Sequence, residues 1–130
     1  MVELDHARQL LKIAERDLRA ASAMVDSNIF TDEIFGFQAQ QAVEKCLKAW
    51  LTSEGVEYPK IHDLDELFQS VSDTGTQIPG TWRTLAELTP FAVQLRYDTM
   101  DILGEDLNRQ DICGRIKELI VHVAALAEMK

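Results

Sequence analysis

Five side chains in this sequence have the chemistry to hold a phosphorylated ligand: Gln41, Lys45, His62, Arg96 and Tyr97. Lysine and arginine give charge-assisted hydrogen bonds to phosphate, tyrosine gives a ring and a hydroxyl, and histidine titrates near neutrality. Gln41 and Lys45 belong to a polar row, Gln38, Gln41, Lys45, Lys48 and Thr52, whose steps of three and four keep it on one side of a helix. An apolar line of Phe35, Ala39, Ala42, Cys46 and Ala49 runs beside it, widened by Val43, Leu47 and Trp50. The polar row therefore lies at the edge of a broad buried zone, where polar groups need partners or line a cleft. The alternative is an ordinary solvated face, and for Lys48, four residues after Glu44, that is the preferred assignment. His62 stands just before a helix start, where it either faces the cleft or bonds a loop carbonyl. Arg96 and Tyr97 precede Asp98 at the end of a helical stretch, a place where an arginine also suits the helix dipole.

Helices must position these residues, because helical periodicity is strong and strand signals are nearly absent. Leu4, Ala7, Leu11, Ala14, Leu18, Ala21 and Val25 form one apolar stripe and predict a first helix of about six turns. Thr31 is a natural N-cap for the second helix, with Asp32 and Glu33 at its positive end, and Gly55 and Pro59 stop it. Asp63 and Glu66 make a capping-box-like start for a short third helix carrying Leu64, Leu67, Phe68 and Val71. Pro90 either kinks a fourth helix or follows Thr89 as the first residue of a new one. The last helix begins near Asn108 and keeps Ile112, Ile116, Leu119, Val123 and Leu126 on one stripe, with Gly114 weakening it unless a close neighbour needs the space. Short connections between long amphipathic helices predict an all-α protein, an up-and-down bundle of four or five helices forming a single domain over residues 1–130.

Composition narrows the function. The net charge of −9 divides as −3 over residues 1–60 and −6 over residues 61–130, so neither half is a basic face for nucleic acid, and any such site must be a local pocket. No apolar run approaches a membrane span, the N-terminus has no signal-peptide character, and a cytoplasmic protein is expected. Cys46 and Cys113 are isolated and read as buried structural thiols, and no spacing suggests a metal site or a cofactor.

Three segments in order, FQAQQAVEKCLKAWL at 37–51, HDLDEL at 62–67 and LTPFAVQLRYD at 88–98, resemble the HEPN domain family of bacterial and archaeal helical proteins. The resemblance spans nearly the whole chain. It implies a bundle similar to the C-terminal substrate-binding domain of nucleotidyltransferases, a homodimer, and partnership with a minimal nucleotidyltransferase, often as a toxin–antitoxin pair. The family's ribonucleases carry an arginine, four to six intervening residues and a histidine. After Arg96 those positions hold Asp101, Ile102 and Leu103, so the expected imidazole is missing. Arg115 and His122 match the spacing formally on the last helix, at a frequency that chance accounts for. The leading expectation is a nucleotide- or RNA-binding module without catalysis. A metal-independent ribonuclease using Arg115 and His122 is the runner-up, and a plain helical interaction domain the third reading.

Overall fold

The computed structural model describes residues 2–93 and 107–129. Arg96, Tyr97 and Asp98, and with them Asp101, Ile102 and Leu103, lie outside these residues. The described chain forms helices α1 (Val2–Ser22), α2 (Asp32–Ser53), α3 (Leu64–Ser72), α4 (Gly80–Arg83), a 3₁₀ segment (Thr84–Val93) and α5 (Arg109–Glu128). It is all-helical, as the periodicity predicts.

Side-chain contacts give the direction of each long helix. Asp17 meets Gln38 and His6 meets Tyr58, so α1 and α2 run antiparallel. Arg109 at the start of α5 meets Asp32 at the start of α2, and His122 meets Trp50 near its end, so these two run parallel. α2 is the central element. Ala39, Ala42, Val43, Cys46, Leu47, Ala49, Trp50 and Leu51 on it have no solvent exposure, and they pack with Leu11 and Ala14 of α1, Leu67 and Phe68 of α3 and Ile116, Leu119 and Val123 of α5.

Local chemistry sets the ends of the elements. The Thr31 hydroxyl accepts from the Ile34 amide at 3.3 Å and caps α2, and Gly55 just beyond its end has a φ of +75°, a conformation glycine adopts without strain. The Asp63 carboxylate accepts from the Asp65 and Glu66 amides and caps α3. Asn108 caps α5 through the Asp111 amide.

Three details depart from the sequence reading. α1 ends at Ser22, and Val25 is part of the following turn and exposed. Pro90 neither kinks an α-helix nor begins one: it sits inside the 3₁₀ segment, and the Thr89 hydroxyl accepts from the Leu64 amide of α3 at 3.1 Å instead of capping its own strand of chain. That segment is held by Phe91, whose ring lies so close over Gly36 of α2 that a Cβ there would collide with it. Gly114 answers to no such need, because nothing stands within 4 Å of where its Cβ would be.

Candidate functional site

The polar row of α2 is the flank of a network built on Glu44, a carboxylate only 1 % exposed in the middle of the most buried helix. An isolated charge there would be strongly unfavourable, so its partners explain its presence. Gln40 Nε2 donates to Oε1 at 3.0 Å and Lys48 Nζ to Oε2 at 2.9 Å, from one turn before and one turn after. His62 Nδ1 reaches Oε1 at 2.9 Å from the loop that leads into α3, and Lys45 Nζ stands 3.6 Å from Oε2. Burial pushes the Glu44 pKa upward, but the hydrogen bonds from Lys48, Gln40 and His62 and the charge of Lys45 together outweigh it and hold the carboxyl below its usual range.

An inner ring of polar contacts fixes these groups. Gln41 Nε2 donates to Gln40 Oε1 at 2.7 Å, and Lys45 Nζ donates to Gln41 Oε1 at 2.9 Å. Gln40 Nε2 also donates to the His62 carbonyl at 3.1 Å. The His62 loop is thus tied to α2 by backbone and by ring, while Thr89 and Asp63 fix the residues that follow it. Because the Glu44 carboxylate can only accept, His62 Nδ1 carries the proton, and Nε2 is left outward on a side chain 69 % exposed. The alternative of an imidazole bonded to a loop carbonyl does not hold.

Lys48 is not on a solvated face. It is buried, ion-paired to Glu44, and its ammonium lies 5.3 Å from the centre of the Tyr58 ring, whose hydroxyl bonds His6 Nε2 of α1 at 2.9 Å. The row read as continuous in fact divides: Gln38 donates to Asp17 of α1 at 3.0 Å, Gln41 and Lys45 line the half-buried edge, and Lys48 and Thr52 are inside. Burial raises the Asp17 pKa, opposed by the charges of Lys45 and Arg16 and the Gln38 bond.

Of the residues singled out in the sequence, Gln41, Lys45 and His62 are brought together, while Arg96 and Tyr97 fall outside the described chain. Gln40 and the central role of Glu44 escaped the sequence reading. Their signal was the spacing Gln40, Glu44, Lys48, Thr52, a row with steps of four that lies inside the edge formed by Gln41 and Lys45.

Arg115 and His122 are engaged elsewhere. The Arg115 guanidinium donates to the Thr84 hydroxyl at 2.7 Å and pairs with Asp111 at 2.8 Å. The His122 ring packs against Trp50 and Trp82, with centroids 5.2 and 5.1 Å away. Both cysteines are free thiols; burial raises the pKa of each, and Cys46 is fully enclosed. Among the described residues no group of His, Cys, Asp and Glu is arranged to hold a metal ion, and no helix is long and apolar enough to cross a membrane.

The HEPN domain family model matches residues 7–123, and the chain belongs to that family. Its fold is similar to the crystal structure of ST0689, an archaeal HEPN homologue, with a TM-score of 0.66 and 20% identity over 93% of this chain and 97% of that one. No curated protein matches.

Proposed function

We propose that this chain is a HEPN module that binds a nucleotide or RNA ligand, forms a homodimer and partners a minimal nucleotidyltransferase in a toxin–antitoxin-type pair in the cytoplasm. The observation that carries the ligand-binding part is the Glu44 network: a fixed imidazole edge at His62 and a half-buried ammonium at Lys45, both held by one ionised carboxylate. Glu44, Lys45 and Lys48 together carry a net positive charge in a chain of net charge −9. Arg96 and Tyr97 complete the proposed ligand set from the sequence. The homodimer, the nucleotidyltransferase and the toxin–antitoxin role rest on family membership.

Catalysis is not part of this reading. The positions after Arg96 lack the histidine of the family's ribonuclease motif, and Arg115 and His122 are committed to other contacts. Calorimetric titration with mononucleotides and a short RNA tests the proposal: wild type binds, and Lys45→Ala weakens binding about tenfold or more. No binding by wild type overturns it. RNA cleavage by the purified protein that is lost in His122→Ala with folding intact would favour the ribonuclease reading. A solution mass near 14.7 kDa at micromolar concentration would exclude the homodimer, and the absence of a neighbouring nucleotidyltransferase reading frame would favour the ribonuclease or the plain interaction domain.

A further inference from the structure

The proposed ligand site can be made specific as to phosphate class. From the geometry around Glu44 we infer that it takes a single terminal phosphate, a phosphomonoester, in preference to the internal diesters of a nucleic-acid strand. This rests on the ligand-binding reading above and narrows it.

Two features carry the inference. The first is the state of His62. Its Nδ1 proton is committed to Glu44 at 2.9 Å, and the Gln40 bond to its carbonyl fixes the backbone, so Nε2 is the ring nitrogen left for a ligand, an acceptor when the ring is neutral and a donor when it is protonated. A phosphodiester oxygen is also an acceptor and carries no proton near neutrality, so it gains a bond only if the ring is first protonated. A phosphomonoester has a second proton that leaves near pH 6, in the region where imidazoles titrate. One proton shared between Nε2 and a terminal phosphate oxygen therefore makes the bond from either side, as N–H···O or as N···H–O.

The second feature is the supply of positive charge. Lys45 makes contacts to Gln41 and Glu44 and has a third N–H to offer, whereas Lys48 is enclosed between Glu44 and Tyr58. Lys45 and His62 contact the two oxygens of the same carboxylate, at 3.6 Å and 2.9 Å, so they flank one point on the surface. Around them stand the carboxylates of Asp17 on α1, which has Arg16 beside it, and of Asp63, Asp65 and Glu66 at the head of α3, with Thr89 the contact from the 3₁₀ segment. A strand laying several phosphates across this surface would meet carboxylates, while one terminal phosphate meets the ammonium and the imidazole.

The test titrates the full-length protein with adenosine 5′-monophosphate, with adenylyl-(3′→5′)-adenosine, which has only an internal diester, and with an RNA hexamer with and without a 5′-phosphate. The monophosphate should bind at least tenfold tighter than the dinucleoside, and the phosphorylated hexamer at least tenfold tighter than its unphosphorylated form. The slope of log affinity against log salt for the phosphorylated hexamer should be close to −1, the value for about one phosphate neutralised, rather than the −3 or steeper of a strand making four or more contacts. His62→Gln, whose side-chain amide keeps a donor for Glu44, should reduce the preference for the monophosphate to less than threefold, and Lys45→Ala should weaken all ligands together. Equal affinity for monoester and diester, or a steep salt slope, overturns the inference and leaves nucleotide binding standing. Absence of binding by all four ligands overturns both.

Discussion

Glu44 and His62 are eighteen residues apart in the chain and 2.9 Å apart in space, and the side chain of Gln40 donates to both the carboxylate of the first and the backbone of the second. This bridge connects the most buried helix of the bundle to the loop that enters α3. It makes the polar chemistry of the site a structural element of the fold as well as a candidate for binding.

The Glu44 carboxyl is held below its usual range in the folded chain, so its ionisation favours folding. The sign follows: the stabilisation is complete above the ordinary value of 4.5 and is lost as pH falls through the lower value of the folded state. Glu44→Gln removes the charge but keeps an acceptor, and leaves Lys48 unpaired in its buried place. At pH 7 this variant should be less stable by about 2–4 kcal/mol, and the gap should close as the pH is taken well below 4.5. Urea unfolding of both proteins from pH 7 to pH 3 measures it. Asp17 has the opposite sign, since burial raises its pKa, so Asp17→Asn, which can still accept from Gln38, should lose no stability at pH 7.

Lys45 and Lys48 should separate binding from stability. Lys48 is buried against Glu44 and Tyr58, so Lys48→Ala takes the nearest cation from a buried carboxylate and should destabilise by about 2–3 kcal/mol. Lys45 lies at the partly exposed edge and 3.6 Å from the carboxylate, so Lys45→Ala should change stability by less than about 1 kcal/mol while ligand affinity falls. Thermal melts and titrations of the two variants side by side decide this. Equal loss of stability in both would mean that the charges are interchangeable, and the network would not be organised as described.

How far the sequence carried depends on the kind of information each feature needs. The helices of the core were legible because Ala7, Ala14 and Ala21 or Ile116, Leu119 and Val123 repeat with the helical period, and Thr31, Asp63 and Asn108 act on amides two or three residues away. The 3₁₀ segment was not, because what holds it is the contact of Phe91 with Gly36, residues far apart in the chain. The site was legible in its parts. Gln41, Lys45 and His62 could be picked out by type and spacing, but whether Lys48 faced water or Glu44 depended on Tyr58 and α1 covering that side of α2. Periodicity gives the direction of a side chain and not what covers it.

Two glycines should respond with opposite sign to the same substitution. Gly36→Ala places a methyl group into the Phe91 ring, which would have to move with the 3₁₀ segment, and should destabilise by about 1–3 kcal/mol. Gly114→Ala meets open space in the interior of α5 and should stabilise by about 0.5–1 kcal/mol through helix propensity. Chemical denaturation of the two variants provides the comparison, and destabilisation by Gly114→Ala would show that its surface is covered.

Arg109 offers the sharpest test of how the bundle is closed. Its guanidinium is 5% exposed at the start of α5, where Nη1 donates to the Met24 carbonyl at 2.7 Å and Nη2 to the Asp32 carboxylate at 2.8 Å, with the Phe35 ring 5.1 Å below. One side chain therefore joins the turn after α1, the first turn of α2 and the start of α5. A lysine cannot reproduce this, since it has no planar fork to serve two acceptors in different directions and lacks the flat face that lies over Phe35. Arg109→Lys should cost about 1–2 kcal/mol and Arg109→Ala about 2–4 kcal/mol, because the alanine also leaves the Met24 carbonyl without its donor. Asp32 is half exposed and is favoured at the N-terminus of α2 whatever its partner, so Asp32→Asn should lose less than 1 kcal/mol or so. A double-mutant cycle between the two positions should then yield a coupling well below the full effect of Arg109→Ala. A coupling equal to that full effect would place the whole contribution in the ion pair, and would remove the carbonyl and the ring from the account.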